Sequence, residues 1–87
     1  MKRKLGIIGG TGLYSLVHLE RAEWHSVTCN FGEPSDALLE GELAGVPVVF
    51  LPRHGRGHRI PPSEINYRAN IEALKRASVT DIVSFSA

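Results

Sequence analysis

At 87 residues the chain is long enough for one small domain, and a chain of this size buries about 60–65% of its unfolded surface. Ten lysines and arginines against nine aspartates and glutamates leave a net charge of +1 and a pI near 8.0, too balanced for a general attraction to nucleic acid. A charged fraction of 22% beside 43% hydrophobic residues excludes a highly charged disordered tail.

The chain opens with "KLGIIGGTG", a short buried strand that breaks into a glycine-rich loop. The basic-then-apolar start is too short for a secretory leader, and no apolar run approaches the ~20 residues of a membrane span. His18 and His25 lie in a polar stretch and read as surface residues, with Trp24 between them as a packing or interface residue. The one cysteine, Cys29, has no internal partner, which points to a reducing compartment and a cytoplasmic protein. As a small buried or half-buried side chain, Cys29 is better explained by packing than by nucleophilic chemistry.

"ALLEGELAGVPVVFLP" reads as two strands joined at Ala44-Gly45, a hairpin in which Pro47 requires an edge or strand-start position. The clearest helix follows in "IPPSEINYRANIEALKRAS", with Ser63 as its expected N-cap, Glu64 in its first turn and Lys75 and Arg76 in its last. Ile65, Ala69, Ala73 and Ala77 recur every fourth residue, with Leu74 beside them, and define its apolar face. "VTDIVSFSA" begins a further strand. The order predicts an α/β fold: a single domain around a central mixed, largely parallel β-sheet flanked by helices. One helix cannot cover both faces of such a sheet, so residues 1–87 are expected to be the N-terminal portion of a larger domain, with apolar surface left exposed.

"PRHGRGHR" packs three arginines, two histidines and two glycines into eight positions directly behind an apolar strand. In open α/β sheets ligands bind beyond the carboxyl ends of the strands, where "GGTG", "RHGRGHR" and "SFSA" all fall. Glycines let backbone N–H groups approach an anion, Thr11 and Ser86 add hydroxyls, Arg53 adds a charged fork and His54 a further donor. A solvated loop remains the plain alternative. His54 and His58 would share a face only on a helix, which Gly55 and Gly57 oppose, so no metal site is expected. Interleaved aromatics and a wider basic face are both missing, which speaks against nucleic acid. Asn66 and Asn70 share one helix face, either exposed or set to pin the basic loop.

Taken together, "GIIGGTGLY", "LPRHGRGHRIPPSEINYRANIEALK" and "VSFSA" resemble the methylthioadenosine phosphorylase branch of the trimeric purine nucleoside phosphorylase family, over its N-terminal part. The resemblance implies a single α/β domain assembled as a homotrimer. It implies cleavage of a purine nucleoside by inorganic phosphate, without metal or organic cofactor, to free purine and a sugar 1-phosphate. Within it, Thr11, Arg53, His54, Ser86 and Ala87 match phosphate-binding positions. Gly10, Arg56, His58, Arg59 and Asn66 are expected to support them, and the groups that bind purine and ribose to lie beyond Ala87. Methylthioinosine or inosine and guanosine remain alternative substrates, and a non-catalytic phosphate-binding or assembly module is the alternative outside enzymology. No membrane or nucleic-acid partner is expected.

Overall fold

The computed structural model describes residues 3–10, 13, 18–57 and 59–85. In chain order these form β1 (Leu5–Gly9), β2 (Glu20–His25), β3 (Leu38–Leu43), β4 (Val46–Pro52), a 3-10 turn (Pro62–Glu64), α1 (Tyr67–Arg76) and β5 (Asp81–Ser84). The strands make one five-stranded sheet in the order β2-β3-β4-β1-β5. Its β4-β1-β5 half is parallel and its β2-β3-β4 half antiparallel, so the sheet is mixed, as the sequence suggests.

The antiparallel half follows from the hairpin. Ala44 and Gly45 have φ of 51° and 82°, the paired left-handed conformation whose twist matches that of flanking strands. Leu43 and Val46 flank this two-residue turn, which directs the Pro47 nitrogen toward the β1 side. Pairing with β1 begins one residue later, at Val48 beside Leu5, so the missing N–H interrupts no ladder.

Alternation along the inner strands builds two apolar layers. Ile8, Val49, Leu51 and Leu38 face one way and pack with Ala73 and Leu74 of α1. Ile7, Val48 and Phe50 face the other way, against Leu5, Leu13, Leu19 and Leu39. The helix covers the first layer through the face expected from its spacing, since Ala69, Ala73 and Leu74 are fully buried. At the sheet edge, Ile82, Val83 and Phe85 are 37%, 39% and 46% exposed, the open apolar surface anticipated for this strand.

The polar stretch ending at His25 forms an edge strand, β2, with His18 and His25 exposed as expected and only Trp24 along the strand half-buried. The expected helix start needs correction, because Ser63 is not the helix cap. Pro62 starts a separate 3-10 turn that includes Ser63 and Glu64, Ile65 is extended, and the Asn66 side chain caps α1 by accepting from Ala69 N at 3.0 Å. Asparagine at this position competes for the orphan amides of the first turn as well as serine does. Lys75 and Arg76 occupy the last turn as expected.

Candidate anion site at the carboxyl edge of the sheet

The parallel strands β1, β4 and β5 end at one edge of the sheet. Gly9 lies beside Pro52, and Phe85 N donates to Ile8 O at 2.8 Å. The next residue of β4's loop is tied to the same edge, because Arg53 N donates to Gly9 O at 2.8 Å. Its guanidinium crosses β1 and donates through Nη1 to Phe85 O, so one side chain links the loops after β4 and β5. A Cβ on Gly10 would stand 3.6 Å from Arg53 Nη2, which places the glycine loop against the guanidinium without blocking it. Gly10, Arg53 and His54 therefore gather where the sequence expects an anion. Thr11, His58, Ser86 and Ala87 lie outside the described residues.

His54 is 8% exposed and held by its own loop. Its Nδ1 meets Ile60 O at 2.8 Å, and because a carbonyl only accepts, Nδ1 carries a proton. Nε2 is the nitrogen turned to Arg53, 3.5 Å from its Nε. The His54 carbonyl accepts from Ile60 N at 2.9 Å and Pro52 O from Gly55 N at 3.0 Å, closing residues 52–60 into a fixed turn. Gly55 has φ of 76°, and a Cβ there would lie 3.0 Å from both Ser35 O and Arg59 Nη2. Only glycine fits that backbone and that space.

The other described arginines of the loop, Arg56 and Arg59, reach a buried carboxylate that the sequence pattern does not reveal. Asp36, with a side chain only 4% exposed, accepts from Arg56 N at 2.7 Å, Arg56 Nε at 3.0 Å and Arg56 Nη2 at 2.9 Å. Arg59 Nη2 stands 3.8 Å from Asp36 Oδ2, and the same side chain donates to Arg56 O and Ser35 O at 3.2 and 3.3 Å. Burial pushes the Asp36 carboxyl up, but the hydrogen bonds from Arg56 and from Ala37 N, with the charge of Arg56, hold it below the usual carboxylate range. Arg56 also lies 3.9 Å from the centre of the Trp24 ring, which gives this tryptophan of the edge strand a packing role. Arg56 and Arg59 thus tie the basic loop to Ser35 and Asp36.

Helix α1 and its cap hold the segment that precedes this carboxylate. Buried Asn70 accepts from Ser35 N at 2.8 Å and donates to Ser35 Oγ at 3.1 Å. Asn66 donates to Phe31 O at 2.7 Å, and Glu72 accepts from Asn30 N and Phe31 N at 2.8 and 3.1 Å. The two asparagines pin the 30–36 segment, which in turn carries Asp36 to the basic loop. A cleft of about 380 Å³ nearby includes Arg59, Ser35 and Asp36 in its lining but neither Arg53 nor His54. The Arg53 guanidinium lies instead at the carboxyl edge of the sheet, beside Gly10 and Phe85 O. Among the described residues no three His, Cys, Asp or Glu side chains cluster as for a metal ion, and no helix is long and apolar enough to cross a membrane.

A mixed α/β sheet with an arginine and a histidine at its parallel carboxyl edge places these side chains where open α/β folds bind their ligands. No family model matches the chain. It is 59% identical over 83 residues to the S-methyl-5'-thioadenosine phosphorylase of Bradyrhizobium diazoefficiens, covering 95% of this chain and 28% of that protein. It is 56% identical over all 87 residues to the enzyme of the same name from Cereibacter sphaeroides, covering 30% of that protein. The methylthioadenosine phosphorylase of Schistosoma mansoni solved with tubercidin superposes with a TM-score of 0.84 at 52% identity, over 95% of this chain and 29% of that one. The resemblance to the methylthioadenosine phosphorylase branch thus holds in sequence and in fold along the described sheet. The chain spans less than a third of the length of these relatives.

Proposed function

We propose that the protein carrying this chain is a pentosyltransferase, a nucleoside phosphorylase that cleaves the N-glycosidic bond of 5'-methylthioadenosine with inorganic phosphate. The products are adenine and 5-methylthioribose 1-phosphate. The observation that carries this reading is the placement of Arg53 and His54 at the carboxyl edge, beside Gly10 and the end of β5. The names of the relatives support the substrate class.

In this reading Arg53 and His54 hold phosphate together with Thr11, Ser86 and the Ala87 amide. A phosphate oxygen attacks the anomeric carbon as the bond to the purine nitrogen breaks. The purine leaves with the bonding electron pair and takes up a proton. The sugar carries developing positive charge between the two, and a phosphate fixed by charged donors both supplies the nucleophile and stabilises that charge. Phosphate is a co-substrate, and the chemistry calls for no metal or organic cofactor. The groups that bind purine and ribose belong to further parts of the enzyme, which we take to be a cytoplasmic homotrimer with residues 1–87 at the start of its domain.

The test is release of free purine from methylthioadenosine, methylthioinosine and inosine by the full-length protein, each with and without inorganic phosphate. Phosphate-dependent release, fastest from methylthioadenosine, is the expected result. Release of no purine from any of the three would remove the reading.

A further inference from the structure

We propose that Asp36 is a positioning residue for phosphate, acting through Arg56 on the turn that carries Arg53 and His54; this rests on the phosphorylase reading above. Asp36 precedes β3 and touches none of the edge groups, yet it accepts from the backbone amide and two side-chain nitrogens of Arg56. The backbone bond fixes the chain at the midpoint of the 52–60 turn. The two guanidinium bonds and the Trp24 ring then hold the side chain that would otherwise swing into solvent. Behind Asp36 stands a rigid support, because Ser35 is clamped by buried Asn70 at its amide and its hydroxyl.

Chemistry makes a carboxylate necessary at this position. Four N–H donors, three from Arg56 and one from Ala37 N, converge on two oxygens within 3.0 Å, and an amide in that place would accept through one oxygen while turning its NH₂ group toward a cation. The turn would then shift relative to Gly9 and Phe85, to which Arg53 is anchored. Misplacement by an ångström in a site built on orientation weakens its function by about ten- to a hundredfold.

Two variants of the full-length protein test this, Asp36→Asn and Arg56→Lys. The second keeps the charge pair on a half-exposed side chain and loses only the fork, so it retains the fold. Phosphate affinity is read twice, as the KM for phosphate during purine release and as direct calorimetric binding of inorganic phosphate without nucleoside. The expected result is phosphate binding weakened about tenfold or more in Asp36→Asn and less in Arg56→Lys. The KM for the nucleoside stays unchanged, and Asp36→Glu recovers part of the loss. A wild-type protein that depends on phosphate, with both variants binding it equally well, overturns the positioning role and leaves the phosphorylase reading standing. A wild-type protein that neither binds phosphate nor releases purine overturns both.

Discussion

The backbone amide of Arg53 donates to the carbonyl of Gly9 at 2.8 Å, joining the carboxyl ends of two parallel strands at the residue whose side chain faces the candidate anion site. Register thereby becomes chemistry: the sheet sets where the guanidinium begins, and Phe85 O sets where it points.

Replacing Arg53 with alanine removes a charged fork and the link to Phe85. Hydrogen bonds from charged donors contribute about 1.5–3 kcal/mol, so the KM for phosphate is expected to rise about 10- to 150-fold. Arg53→Lys, which keeps charge without the fork, is expected to recover only part of the affinity. Steady-state kinetics with phosphate as the varied substrate provide the check.

The two glycines of the basic loop are expected to differ. Gly57 has φ of 77° and open space within 4 Å of where a methyl would stand, so Gly57→Ala carries only the left-handed penalty, about 1–2 kcal/mol. At Gly55 the methyl also meets Ser35 O and Arg59, and overpacking adds about 1–3 kcal/mol. Thermal melts of both variants should therefore place Gly55→Ala lower.

Acid sensitivity follows from Asp36. Its folded-state pKa is depressed, so its contribution to stability is present above the unfolded carboxylate value of about 3.9 and is lost as pH falls through the lower folded value. Glu72, held down first by the Asn30 amide, and Asp81, held down first by the Thr80 hydroxyl, act in the same direction. Asp36→Asn is expected to reduce stability at neutral pH and to flatten its fall on acidification below the carboxylate range. Denaturant midpoints measured across that range give the slope.

Asn70→Ala should destabilise more than Asn66→Ala. The first strands the buried Ser35 amide and hydroxyl, each about 1–3 kcal/mol when unsatisfied, whereas the second removes a helix cap worth about 0.5–2 kcal/mol. Chemical unfolding of the pair decides the order.

Cys29→Ser is expected to leave phosphate-dependent turnover nearly unchanged. Burial, then the charge of Glu72, raises the thiol's pKa, so little nucleophilic thiolate is present, and the 3.5 Å contact of Sγ with Ala69 O, at the margin of the core, is one that a hydroxyl also makes. A full loss of turnover would show that the thiol has a chemical role.

The parallel strands, the hairpin at Ala44-Gly45 and the helix face were legible because each rests on a short-range pattern: period two, left-handed turn residues, and spacing of four. So was the placement of Arg53 and His54, since loops after parallel strands share one edge. β2 was not legible, because an edge strand exposed on both faces has no alternation to read. The helix start was missed because Ser63, Asn66 and two prolines all suit an N-terminus, and only the extended backbone of Ile65 separates the 3-10 turn from α1. Asp36 escaped notice because its partner is 20 residues away and its sequence neighbourhood, "EPSDALL", reads as an ordinary polar turn. Pairing across that distance is decided by the sheet rather than by local chemistry.

The central claim is that phosphate held at this edge becomes part of the product. Phosphorus NMR of the full-length protein turning over methylthioadenosine with inorganic phosphate tests it most directly. The expected result is a new sugar 1-phosphate signal that grows in step with free adenine as inorganic phosphate declines. Adenine released with the inorganic phosphate signal unchanged would mean that water is the nucleophile, and would contradict a role for Arg53 and His54 in holding the attacking phosphate.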